Sequence, residues 1–88
     1  MKDKELEMSL KTLANRRRIS IVRFIKKKKE ASVGDIASEI KLSLKSTSRH
    51  LAVLFSAGIL EREQRSLQVF YRLADDIIEP VRRIIVTL

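Results

Sequence analysis

Eighty-eight residues suffice for one modest hydrophobic core and leave no room for a second, so residues 1–88 read as a single domain. Nineteen Lys and Arg against eleven Asp and Glu give a formal net charge of +8, which points to a polyanionic partner, either nucleic acid or an anionic membrane. The absence of Cys excludes a disulfide framework and thiolate metal sites; no apolar run reaches a membrane span, and the charged start Met1-Lys2-Asp3-Lys4-Glu5 lacks a signal peptide's apolar core, so a soluble, cytoplasmic chain with no membrane partner is expected.

Leu6, Leu10, Leu13 and Ala14 fall at helical spacing and predict a first helix. Asn15 is a suitable N-cap for a second, which carries Ile19, Val22 and Ile25, with Phe24 alongside, on its inner side. Arg16, Arg17 and Arg18 crowd the first turn, where the helix dipole disfavours cations; this cost suggests that some of them serve a partner or a cross-element contact, ordinary surface arginines being the equal alternative. The run Lys26-Lys27-Lys28-Lys29 lies at the dipole-favoured end and reads as a solvated terminus. Ser32-Val33-Gly34-Asp35 fits a capping box with Asp at its fourth position, opening a third helix that holds Ile36, Ala37 and Ile40. Lys41-Leu42-Ser43 forms a short turn, Ser43 caps a fourth helix running to about Ala57, and Gly58 stands where a helix C-terminus favours glycine. Two short helices joined by a tight turn make a helix-turn-helix pattern.

After Gly58 the hydrophobic period changes from helical to alternating. Ile59 to Gln64 and Leu67 to Leu73 read as strands around Arg65-Ser66, with Val69, Tyr71 and Leu73 on one face and Gln68, Phe70 and Arg72 on the other. A hairpin directly after a helix-turn-helix is a wing. A last helix, beginning not much before Asp75 because Pro80 is tolerated only in the first turn, aligns Ile77, Ile78, Val81, Ile84, Ile85 and Leu88, with Asp76 and Glu79 as candidate caps. The expected class is mainly α with a small β-hairpin, in the order α-α-α-α-β-β-α.

The functional constellation lies in the fourth helix. Thr47, Leu51 and Leu54 share an inward face, leaving Lys45, Ser46, Ser48, Arg49 and Ala52 outward or flanking. Hydroxyls bond phosphates or base edges, Arg reads guanine bidentately, and a helix N-terminus favours phosphate. A Ser/Thr-rich surface helix is the competing reading, and the basic hairpin that follows weighs against it. In that hairpin Arg62 and Arg65 are candidates to reach a phosphate or the minor groove. The last helix presents more apolar surface than one face of a small domain buries internally, which supports dimerisation, with its inner edge in the core and the remainder at an interface.

The segments Leu13-Ala14-Asn15-Arg16-Arg17-Arg18, Ser32-Val33-Gly34-Asp35-Ile36-Ala37, Ser48-Arg49-His50-Leu51-Ala52-Val53-Leu54, Ala57-Gly58-Ile59-Leu60 and Val69-Phe70-Tyr71-Arg72-Leu73 resemble, in order and spacing, the arsenic-repressor-like (ArsR-type) bacterial and archaeal transcriptional regulators. The likeness covers about residues 10 to 73. It implies a winged helix-turn-helix homodimer on double-stranded operator DNA, joined through its first and last helices. It thereby implies an interface of Leu6, Leu10, Ile77, Ile78, Val81, Ile84, Ile85 and Leu88, and a DNA-facing set of Ser43, Lys45, Ser46, Ser48 and Arg49. His50, the only histidine, falls on the family's Ser-Arg-His-Leu motif, where orienting a phosphate or a neighbouring contact is the expected role. Metal-sensing members carry a Cys-Val-Cys-Asp box where this chain has Ser32-Val33-Gly34-Asp35, or histidines with carboxylates on the last helix where only Asp75, Asp76 and Glu79 stand. Neither metal nor cofactor is therefore expected. The wing tip lacks the family's glycine, so a differently shaped wing is expected.

A homodimeric repressor is thus the leading reading. A winged-helix protein-interaction module without DNA readout is the alternative, against which Lys45, Arg49 and the net charge argue. An enzyme is not expected: there is no Cys, no Ser/Asp partner motif for His50, and no phosphate-cradling Gly-rich loop.

Overall fold

A computed structural model of the chain describes residues 2–88. Helices α1 (Asp3–Leu13) and α2 (Arg16–Lys28) lead to a short strand β1 (Ala31–Ser32), then α3 (Val33–Ile40) and α4 (Leu44–Ser56), the hairpin β2 (Leu60–Arg65) and β3 (Gln68–Leu73), and a last helix α5 (Val81–Val86).

The expected caps form. Asn15 Oδ1 accepts from Arg18 N at 3.1 Å, Ser32 Oγ from Asp35 N at 3.1 Å, and Ser43 Oγ from Ser46 N at 3.1 Å, so each of α2, α3 and α4 starts on a side chain that satisfies an otherwise unpaired amide. Lys41 ends α3 in the left-handed region (φ 56°), and its amide closes on Ala37 and Ser38, giving the abrupt turn into α4. Gly58, at φ 76°, ends α4; a side chain there would be strained by the backbone conformation rather than by crowding.

The inward residues converge on one cluster. Ile21, Val22 and Ile25 of α2 meet Ile36 of α3, Leu51 and Leu54 of α4, Ile59, Leu60 and Tyr71 of the hairpin, and Val81 and Ile85 of α5. In α2 the fully buried positions are Ile21, Val22 and Ile25, whereas Ile19 is only half-buried: the buried stripe runs through Ile21, one residue pair at i and i+1 followed by i+4.

Three expectations for the β and C-terminal regions are corrected. β1 is an additional strand, pairing Ala31 with Tyr71 and Ser32 with Phe70, so the sheet is three-stranded in the order β1-β3-β2. Two residues are too few to register as an alternating pattern. The hairpin closes at Arg65↔Gln68, placing the turn at Ser66-Leu67 rather than Arg65-Ser66. Ser66 takes φ 57° at the first turn position, as a type II′ turn requires, and Leu67 stands 96% exposed at the tip. The last helix is confined to Val81–Val86, with Pro80 at its N-cap and no side-chain cap. Proline disfavours helix in the residue before it and lacks the amide that would continue a helix through it, so Ile77 and Ile78 lie in the connection instead. Asp76 and Glu79 therefore do not cap; Glu79 pairs with Arg83 one turn on, at 3.4 Å.

α5 is docked by its own buried edge and by Lys26, whose Nζ donates to Val86 O at 2.6 Å. Truncating the centre of the cluster tests its contribution. Leu54→Ala removes a side chain with 0% exposure and is expected to cost about 2–5 kcal/mol, seen as a lower urea midpoint with an unchanged m-value.

Candidate nucleic-acid interface

α4 is held from beneath and free above. Thr47, Leu51 and Leu54 are buried, whereas Lys45, Ser48, Arg49 and Ala52 are exposed and Ser46 is half-buried at the edge of the row. Ser43 Oγ accepts the capping bond, which leaves its hydroxyl proton for an external acceptor. Neither Lys45 nor Arg49 forms a salt bridge among the described residues, so two uncompensated cations share the outer surface of the first turns with the hydroxyls of Ser43, Ser46 and Ser48. Leu44, 60% exposed beside them, joins this surface as an apolar group suited to a thymine methyl; hydropathy alone carries no signal that a leucine in this first turn faces outward.

His50 is set differently from its neighbours. It is half-buried, and its Nδ1 accepts from Arg18 Nη1 at 3.3 Å, which puts the ring proton on Nε2. Arg18 Nε also donates to Thr12 O at 2.6 Å. One guanidinium thus ties the end of α1 and the start of α2 to the middle of α4. This is the cross-element role foreshadowed by arginines in an unfavourable first turn. Arg18, Ser46, Arg49 and His50 together line a hollow of about 210 Å³ with Val53, so the ring borders the outer surface of α4 without belonging to its exposed row.

The wing cations are engaged within the protein. Arg65 makes a bidentate pair with Glu30 at 2.8 and 2.7 Å, a third bond to Glu63 at 3.0 Å, and lies over the Phe70 ring at 4.7 Å. These hydrogen bonds push its pKa up and hold the Glu30 and Glu63 carboxyls below their ordinary range. Arg72 faces Glu61 and Glu63 at 3.8 and 3.4 Å. Arg62 sits over the Phe55 ring of α4 at 4.0 Å, leaving its edge exposed. Of the two wing arginines singled out in the sequence, Arg62 remains on the surface shared with α4, while Arg65 turns back to anchor the hairpin to the start of β1.

The apolar residues of α1 and α5 divide. Val81 and Ile85 are buried in the protein's own core (0% and 2% exposed), which removes them from the outward set. Leu6, Ile77, Ile78 and Leu88 are half-buried, and Leu10 and Ile84 are exposed, together with Met8 and Val86. α1 and α5 are in contact, which places the exposed Met8, Leu10, Ile84 and Val86 on adjacent helices, whereas Ile77, Ile78 and Leu88 flank α5. Among the described residues no group of three or more His, Cys, Asp or Glu stands together in a way that could hold a metal ion, and no helix is long and apolar enough to cross a membrane.

Burial, followed by the charges of Arg18 and Arg17, lowers the His50 pKa. The ring therefore resists protonation in the folded state. Below the unfolded value of about 6.5 the unfolded chain takes up a proton that the folded chain does not, so stability is full above that pH and declines beneath it. The lowered Glu30 and Glu63 contribute only near and below about pH 4.3, outside this window. The urea midpoint is expected to fall between pH 7.5 and 5.5, and His50→Asn, which keeps an acceptor for Arg18 but does not titrate, is expected to flatten that dependence.

A protein-family model described as a helix-turn-helix domain matches residues 7–63. The biofilm growth-associated repressor of Agrobacterium fabrum is 35% identical over 72 residues, covering 82% of this chain and 61% of its own length. The transcriptional activator HlyU of Vibrio cholerae is 37% identical over 65 residues, covering 74% of this chain and 59% of its own. The chain thus spans about three-fifths of the length of these curated relatives. Reduced HlyU superposes with a TM-score of 0.83 at 32% identity, over 97% of this chain and 85% of that one. The homodimeric winged helix-turn-helix DNA-binding domain of a possible ArsR-family regulator from Mycobacterium bovis gives 0.82 at 28% identity, over 96% and 74%. With the family model covering most of the chain and the winged architecture shared with these structures, the protein belongs to the helix-turn-helix domain family in its ArsR-type form.

Proposed function

We propose that this chain is a sequence-specific, homodimeric DNA-binding regulator of transcription, acting as a repressor in the cytoplasm without a Cys- or His-based metal trigger. The observation that carries this reading is the outer surface of α4: Lys45 and Arg49 uncompensated, hydroxyls at Ser43, Ser46 and Ser48 around them, and a buried underside that fixes their direction. Arg49 is the candidate base reader and Lys45 a phosphate contact. His50 acts by positioning α4 through Arg18. In the wing, Arg62 is the candidate phosphate contact and Arg65 sets the angle of the hairpin.

The dimer would form through α1 and α5, burying Leu6, Leu10, Ile77, Ile78, Ile84 and Leu88; a homodimeric relative and the exposed apolar residues on these adjacent elements support this. Two-fold symmetry then requires a near-palindromic site with half-sites about 10 base pairs, or a multiple, apart.

Fluorescence anisotropy against duplex from upstream of the protein's own coding region, with random duplex as competitor, tests the reading. The wild type should prefer the upstream duplex and weaken steeply with salt. Arg49→Glu should abolish that preference while circular dichroism and sedimentation still report a folded dimer. An Arg49→Glu protein that binds like the wild type would contradict the assignment.

A further inference from the structure

The groove between α2 and α3 is a cavity of about 650 Å³ walled by Arg16, Arg17, Arg23, Lys27 and Lys28, with Glu39 as its one carboxylate. Residues 16, 23 and 27 are separated by seven and four positions, so they share a face of α2. This arrangement is costly. Arg16 and Arg17 oppose the helix dipole, Arg23 and Lys27 repel one turn apart, and α2 contains no acidic residue to relieve either.

The other cations of α2 show what internal use looks like. Arg18 bonds Thr12 O and His50, and Lys26 bonds Val86 O. The five in the groove form no salt bridge among the described residues, and Arg17 makes only a 3.4 Å bond to Ile40 O. That bond is informative for its position. Ile40 ends α3, and Lys41 follows it into the turn that leads to Lys45 and Arg49. The stripe is therefore joined to the recognition surface at one end. Its length, eleven residues at about 1.5 Å each, matches the axial rise of about five nucleotides on one DNA strand.

We propose that the α2–α3 groove is a second DNA-backbone contact, seating phosphates that flank the stretch faced by α4. The inference rests on the reading of α4 as the DNA-facing helix. A phosphate track explains at once the uncompensated charge, its linear arrangement and its continuity with the turn before α4.

The test uses the full chain and fluorescein-labelled upstream duplex between 50 and 300 mM KCl. The variant Arg16→Ala/Arg23→Ala/Lys27→Ala should fold at least as well as the wild type, because alanine is the strongest helix former and no internal partner is lost; a thermal melt verifies this. Its slope of log K against log salt should be shallower by about 2.7 per protomer, at about 0.9 for each lost phosphate contact, with preference over random duplex retained. Arg49→Ala should do the reverse, losing preference with little change in slope. A triple variant with wild-type slope and affinity, beside an Arg49→Ala that loses preference, would overturn the flanking contact while leaving the α4 reading intact. A wild type that fails to bind at 50 mM would overturn both.

Discussion

The structure depends on the burial of Leu51 and Leu54 beneath α4. Both are fully enclosed, by α2 and α3 on one side and the base of the hairpin on the other. Once these two side chains are pinned, the helical period leaves no freedom about what points away: Lys45, Ser48, Arg49 and Ala52 are outward because Thr47, Leu51 and Leu54 are not. Ser43 and Gly58 then set where the helix begins and ends. The outward row is thus a consequence of core packing, and its precision is inherited from a close-packed interior in which shifts are expensive.

Against this frame the cations fall into two sets. Arg18, Lys26, Arg65 and Arg72 are turned inward or paired and hold elements together: α1 to α4, α5 to α2, and the wing to the start of β1. The exposed ion pairs among these, those of Arg65 and Arg72, contribute little to stability. Their consequence is geometric. The wing is largely self-neutralised and fixed in orientation, so the positive field that would draw in DNA belongs to α4 and the α2 stripe instead. The Arg18 bridge adds a polar tie between α4 and α1, an element of the proposed dimer surface, to the packing that already joins them through the core.

Much of this was legible in the residues because the governing signals are local. Asn15, Ser32, Ser43 and Gly58 mark helix ends by capping chemistry, and the inward stripe of α4 follows from spacing alone. Three of the failures share a cause, a pairing partner that the local pattern does not reveal; the fourth, at the last helix, is local. β1 exists only because β3 passes beside Ala31 and Ser32. The partner of Arg65 is Glu30, thirty-five residues away, which no pattern around the hairpin reveals. The turn shift to Ser66-Leu67 reflects the register set by Leu60↔Leu73 through Arg65↔Gln68, which a composition-based turn assignment cannot see. The last helix looked longer because Ile77 and Ile78 are in phase with Val81 and Ile85, yet Pro80 interrupts the backbone where the apolar pattern does not. Hydropathy likewise could not tell which apolar residues of α5 would be consumed by the core.

The most direct measurement of the central claim, that the outer surface of α4 is the DNA-facing surface, is an amide chemical-shift titration of ¹⁵N-labelled protein with duplex from upstream of its own coding region. The largest shifts are expected on Lys45, Ser46, Ser48 and Arg49, with α5 unaffected. Shifts confined to α1, α5 or the wing, with α4 silent at saturation, would contradict it.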